Sequence, residues 1–252
     1  MGLPVDIAWI TAFLDLPADR FEIRTRFWEQ VTGTVRSAAR GDNGEFATLT
    51  PPAGDPHLRV QRVAGGPGGV HLDLHVADVV ALAERARTAG ADLGPIGGFV
   101  PMRSPGGLPF CAVADRGEVR RADPVDLGRG AAVVDQVSID IPADRFDDEV
   151  RFWVELTGWE LRSSAVRPEF SALVRSERVP VRLLFQRLEE RSGPVRAHLD
   201  VAAGDAMTGV VADHVQRGAS IIRIATHWTT LQDPGGGVYC ITRRAPATGL
   251  LG

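Results

Sequence analysis

Pro17-Ala18-Asp19-Arg20-Phe21 recurs in the same chain as Pro142-Ala143-Asp144-Arg145-Phe146, and the matches that follow it decide the fold. Arg26-Phe27-Trp28 returns as Arg151-Phe152-Trp153 and Thr32-Gly33 as Thr157-Gly158, all at a shift of 125 positions. Downstream, His71-Leu72-Asp73 pairs with His198-Leu199-Asp200 and Gly90-Ala91 with Gly218-Ala219. Pro105-Gly106-Gly107 and Cys111 pair with Pro234-Gly235-Gly236 and Cys240, by which point the shift is 129. So small a slip means a few loop insertions on a duplicated domain. The period is far too long for a solenoid, so the chain reads as two related globular units. Its 252 residues suffice for two domains that each bury a core.

Within each half the pattern is strand, helix, three strands, then the same again. Ile7 to Leu14 and Val133 to Ile141 are β-rich runs ending in a Pro-Ala-Asp turn. Phe146, Val150, Trp153 and Leu156 fall at helical steps and mark one apolar face. Asp19 and Asp144 stand where an N-cap is expected, and Gly33 and Gly158 supply the stop. Strands follow at Phe46 to Leu49, Leu58 to Val63 and Val70 to Val76, with counterparts at Phe170 to Val174, Val181 to Leu188 and Val195 to Val201. Second helices are expected over Asp78 to Ala89 and Asp205 to Gln216, and closing strands at Phe110 to Ala114 and Val238 to Thr242. Pro109 withdraws a backbone donor, which points to an edge or a bulge. The domain reading is residues 1–115, a linker over 116–131, a second domain over 132–246 and a tail over 247–252.

Composition removes several function classes. A net charge of -4 argues against a nucleic-acid partner, which needs a basic face to release counterions. All 28 basic residues are arginine, so there is no phosphate-loop lysine and no Schiff base. Two cysteines form no disulfide framework, and Met1-Gly2-Leu3-Pro4-Val5-Asp6 lacks a signal-peptide pattern; the expectation is a cytoplasmic protein. No run reaches the ~18 apolar residues of a membrane span. Gly65-Gly66-Pro67-Gly68-Gly69 joins two strands and reads as a flexible loop, not a phosphate cradle. The chain has no nucleophile elbow, HExxH or paired CxxC.

Certain pieces together resemble the vicinal-oxygen-chelate superfamily of glyoxalases, bleomycin-resistance proteins and extradiol dioxygenases, most closely its glyoxalase-like branch. They are Phe152-Trp153, Leu156-Thr157-Gly158-Trp159, Phe185-Gln186-Arg187-Leu188, His198-Leu199-Asp200-Val201, Trp228, Leu231-Gln232-Asp233-Pro234, Gly236 and Tyr239-Cys240. The first half carries a weaker copy, with Phe99 at the Trp228 position and Ser104 at that of Asp233. The resemblance implies an α+β fold of tandem duplicated domains, each of two βαβββ modules forming a cupped mixed sheet. It also implies a divalent metal on the floor of a cup, polarising vicinal oxygens of a substrate.

Carried over residue by residue, the first-strand ligand position falls at Gln136 and Thr11, the fifth strand offers His198 and His71, and the fourth offers Gln186 and Gln61. The closing-strand glutamate position falls at Val238 and Pro109, which cannot ligate. Gln136 and His198 are then the only weak metal candidates, and no cofactor is expected, a divalent metal remaining possible. His198 and Asp200 share a strand face, as do His71 and Asp73. Each pair reads either as an imidazole oriented by a carboxylate, making His198 the catalytic candidate, or as a half-buried structural pair. His75 continues that face, but its counterpart is Ala202. Trp228, beside the closing hairpin, reads as an aromatic wall or as packing. Trp28, Trp153 and Trp159 read as helix-to-sheet packing, and Cys111 and Cys240 as inert packed thiols.

The expected ligand-binding set is thus Gln136, Gln186, His198, Asp200 and Trp228, in the second cup. The expected function is binding of a small organic molecule without a tightly held metal; the alternative is a lyase, isomerase or dioxygenase with an altered ligand set. Expected partners are the small-molecule ligand alone, with neither nucleic acid nor membrane, in a monomer with pseudo-dimeric halves or a homodimer.

Overall fold

The computed structural model describes residues 6–251; Met1–Val5, most of the stretch read above for a signal peptide, and Gly252 at the end of the tail lie outside the described residues. The first half contributes β1 (Ile7–Pro17), α1 (Phe21–Thr32), β2 (Val35–Arg36), β3 (Phe46–Thr50), β4 (Leu58–Val63), β5 (Gly69–Val76), α2 (Val79–Thr88), β6 (Asp92–Leu93), β7 (Phe99–Arg103) and β8 (Pro109–Ala114). After β9 (Val125–Asp126), the second half gives β10 (Ala131–Ile141), α3 (Phe146–Thr157), β11 (Glu160–Ser163), β12 (Phe170–Val174), β13 (Arg182–Arg187) and β14 (Arg196–Ala202). A 3₁₀ turn (Gly204–Ala206), α4 (Met207–Gln216), β15 (Ser220–Ile224), β16 (Trp228–Gln232) and β17 (Val238–Thr242) complete it.

The strands form two curved mixed sheets with sparse helices. One has the order β2-β3-β4-β1-β5-β8-β7-β6, the other β11-β12-β13-β10-β14-β17-β16-β15, with β9 added to β10. In each, the fifth strand pairs in parallel with the closing strand, β5 with β8 and β14 with β17. The expected module order is therefore present twice in each sheet. Among the described residues no helix is long and apolar enough to cross a membrane.

Packing groups the chain into two compact units, each drawn from both halves. Among the described residues, the first comprises 6–12, Val70–Val119 and Val137–Ala197; the second comprises Phe13–Gly69, Arg120–Gln136 and 198–251. In the second unit α1 buries Phe27 and Trp28. Trp28 packs edge-on to Tyr239 at 5.1 Å between centroids, and Phe27 to His214 of α4 at 5.9 Å. In the first unit α3 buries the repeat partners Phe152 and Trp153, whose rings lie 5.8 and 5.2 Å from that of Phe110. Aromatic pairs of this kind are worth ~0.5–1.5 kcal/mol each beyond the area they bury.

One carboxylate anchors each aromatic cluster. Asp233, in the β16–β17 loop, accepts from Arg24 Nε at 2.9 Å and Trp28 Nε1 at 3.2 Å through Oδ2, and from the backbone N–H groups of Gly235 and Gly237 through Oδ1. In the first unit the carboxylate comes from the helix instead. Glu149 accepts from Trp153 Nε1 at 2.8 Å and from the backbone N–H of Gly106, in the β7–β8 loop, at 2.7 Å. Here Ser104 takes the place of Asp233 and closes the turn by accepting from Leu108 N. The Pro-Gly-Gly repeat now has its reason: a Cβ on Gly235 would collide with the Arg24 side chain, and one on Gly106 with Val195.

Several sequence expectations need correction. The N-caps of α1 and α3 are Arg20 and Arg145, neither with a side-chain cap bond, rather than Asp19 and Asp144. A tight turn, Arg20 N to Pro17 O and Arg145 N to Pro142 O, leads into each helix, so the aspartate lies one residue too early to cap it. The C-caps are as expected, Gly33 and Gly158 with φ of 63° and 69°. Asp205 lies in the 3₁₀ turn, and α4 begins only at Met207. Pro109 is neither on an edge strand nor at a bulge. It is the first residue of the interior strand β8, whose ladder with β5 begins at Phe110, so no bond is lost. The stretch read as linker holds β9, paired with the start of β10.

Two outcomes follow for stability. Arg24 and Asp233 are both buried, so Asp233→Ala strands a guanidinium and frees the loop, and should cost about 3–5 kcal/mol in urea denaturation. His214 is held neutral mainly by burial, Asp213 opposing and Arg217 assisting, and its pKa falls from 6.5 to about 4. Between those values only the unfolded chain takes up the proton, so this residue's contribution is complete above 6.5 and lost as the pH falls towards 4. Urea midpoints should show wild type losing about 2 kcal/mol more than His214→Gln between pH 7 and pH 5.

Candidate functional site

The candidate site lies in the second unit, where β14 and β17 run parallel with Asp200 opposite Cys240. Alternation along β14 puts His198 and Asp200 on one face. Across β16 and β17, Thr230 stands opposite Cys240 and Trp228 opposite Thr242, so these side chains share a face too. His198 Nε2 lies 3.3 Å from Asp200 Oδ1 and 3.5 Å from Cys240 Sγ, with Thr230 Oγ1 3.5 Å from the same sulfur.

Beneath this group runs a buried polar chain. Gln136 of β10 donates through Nε2 to Asp200 Oδ2 and accepts through Oε1 from Arg244, just past β17. Arg244 in turn pairs with Asp135. Asp135, Gln136, Asp200 and Arg244 are all almost fully buried. Burial pushes the Asp200 carboxyl up, but the hydrogen bond and charge of His198, the charge of Arg244 and the Gln136 amide together hold it below the usual carboxylate range. Asp200 is thus an ionised group of fixed orientation.

His198 turns the same ring nitrogen, Nε2, to both the carboxylate and the thiol. A thiol–imidazole–carboxylate relay uses opposite ring nitrogens, one for each partner. Here Nε2 faces both, so the donor atoms of His198, Asp200 and Cys240 converge, all lying within 4.8 Å of one another. Around a tetrahedral ion with ordinary bond lengths, a nitrogen stands ~3.3 Å from an oxygen and ~3.6 Å from a sulfur. The observed spacing matches, and the mixed N, O and S set fits a borderline ion such as Zn²⁺ or Co²⁺ better than Mg²⁺. The first unit holds a looser counterpart, with His71 Nε2 3.9 Å from Asp73 Oδ1 and Cys111 beside them.

Of the residues singled out from sequence, His198, Asp200 and Gln136 come together, and Gln136 meets them as an anchor for Asp200. Trp228 lies on the same strand pair, partly exposed. Gln186 is in the first unit, opposite Phe170 across β12 and β13. The closing-strand position needs correction: Val238 is 47% exposed and paired with Gln232, and the residue beside His198 is Cys240, two further on. Cys240 is thus no remote packing thiol. Sequence reasoning missed Asp135 and Arg244 altogether. Cys240 could have been found, since it and Cys111 keep their places in the repeat.

Comparison with known proteins agrees with this architecture. The glyoxalase-like domain family matches residues 11–113 and again 136–242. No curated protein matches the chain. Among solved structures, the Mn(II)-bound glyoxalase from Novosphingobium aromaticivorans is similar with a TM-score of 0.67 at 17% identity, over 99% of this chain and 87% of that one. The 2,2',3-trihydroxybiphenyl 1,2-dioxygenase from Sphingomonas wittichii RW1 follows at 0.61 and 13%, over 95% and 90%. A mutant 4-hydroxymandelate synthase from Streptomyces coelicolor gives 0.62 and 16%, over 98% and 95%. At such identities the likeness is one of fold. With both halves matched by the family pattern, the chain belongs to the glyoxalase-like domain family.

Proposed function

We propose that the chain binds a small organic molecule on the β14–β16–β17 face of its second half, over a floor of His198, Asp200 and Cys240 with Trp228 alongside. The observation that carries this reading is the convergence of three donor atoms on one point, backed by a buried chain that fixes Asp200. These three residues would hold a borderline divalent ion, which supplies Lewis acidity to neighbouring oxygens of the bound molecule. The chain's own part is positional. Gln136, itself held by Arg244, fixes the Asp200 carboxylate, Asp200 fixes the His198 ring, and Trp228 offers a flat apolar surface to a planar ligand.

One feature favours a metal-free variant of the same reading. The Gln136 amide, at the first-strand ligand position, is already engaged at both ends. In that variant His198 is a hydrogen-bonding or proton-accepting group, and the protein sequesters its ligand.

Cobalt titration separates the two. Thiolate-to-Co²⁺ absorption should appear at one equivalent per chain, vanish in His198→Ala and Cys240→Ser, and persist in His71→Ala and Cys111→Ser. A spectrum without such a band leaves the metal-free variant; loss of the band in the first-half variants instead moves the site to His71.

A further inference from the structure

We infer that the first unit carries a separate divalent-cation site formed by His75, Glu118 and Asp115, of the oxygen-rich kind that takes a hard to borderline ion such as Mn²⁺. His75 lies on β5 with no solvent exposure, and its two ring nitrogens face different groups. Nε2 is 2.9 Å from Thr11 Oγ1, while Nδ1 is 3.5 Å from Glu118 Oε2. Asp115, on the segment that leaves β8, brings a carboxylate oxygen within 4.8 Å of both.

Three features point to a cation. Glu118 Oε2 is buried and accepts no hydrogen bond from any described residue, a costly state for a carboxylate oxygen unless positive charge lies beside it. The Glu118–His75 separation is too long for a charge-assisted bond, which closes to ~2.7–2.9 Å, yet it suits two ligands of one ion. Thr11 supplies the outer support that a ligating imidazole needs. In the tautomer that ligates the ion, Thr11 Oγ1 accepts from Nε2–H and the Nδ1 lone pair faces the carboxylates.

The site is not a copy of the repeated His-Asp-Cys group, since the second half has Ala202 where His75 would fall. Its donors are one imidazole and two carboxylates without a thiol, which sets its preference apart from that of the Cys240 group. Asp115 is exposed, and one of its oxygens accepts from Gly117 N, so an ion can enter from solvent past a carboxylate already held in place.

The test is a Mn²⁺ titration of the whole chain followed by electron paramagnetic resonance of the free ion. Wild type should bind one Mn²⁺ per chain. Glu118→Gln and Asp115→Asn should each weaken it roughly tenfold or more. Cys240→Ser should bind as wild type does. Asp115 is a surface residue, so Asp115→Asn decides the matter even where substitutions of buried His75 fail to fold. Unchanged Mn²⁺ affinity in both carboxylate variants, or no binding by wild type at millimolar Mn²⁺, overturns the assignment.

Discussion

Each compact unit closes around one buried carboxylate that joins a helix tryptophan to the backbone of a Pro-Gly-Gly loop. The two units solve this problem with opposite chemistry. In one the carboxylate sits on the loop, Asp233, and the helix brings Arg24; in the other it sits on the helix, Glu149, and the loop brings Ser104 and a bare N–H. Because Arg24 and Glu149 are repeat partners, as are Ser104 and Asp233, the exchange distinguishes two otherwise similar helices. Were α3 set against the β16–β17 loop, Glu149 would face Asp233, two like charges without water to screen them. The observed pairing gives each carboxylate its donors, and the exchanged one is penalised.

The floor of the candidate site follows the same rule. Asp135, Arg244, Gln136 and Asp200 form an unbroken series in which each charge has a partner. Such a series is expensive to bury and specific in geometry, and its open end is His198 with Cys240. The repeat retains the His-Asp-Cys core in the first half with a wider His–Asp separation, 3.9 Å against 3.3 Å.

Much of this was legible in the sequence, because the repeat fixes turns through Gly and Pro, whose backbone demands are local. Gly33 and Gly158 end their helices as read. The caps were misread because Asp19 and Asp144 resemble cap residues, whereas the Pro-Ala-Asp-Arg turn displaces the helix start by one residue. The closing-strand position was misplaced by two, which preserves the face and so left no inconsistency in the alternation to warn of it. Arg244 was illegible for another reason: after a strand, Arg243-Arg244 looks like solvated charge, and only the structure shows that one of the two turns inward to Asp135 and Gln136. Likewise Gln136 reads as a ligand by position, while its contacts make it an anchor.

The Arg24–Asp233 pair also sets a clock. Its members are 209 residues apart, so α1 emerges from the ribosome long before its loop exists. At ~5–20 residues per second, the guanidinium and its flanking aromatic face wait roughly 10–40 s for their partner. During that interval Phe27 and Trp28 cannot reach Tyr239, which is made still later. A nascent chain of this design exposes an apolar helix face for most of its synthesis, and its demand for chaperone cover should be set by α1.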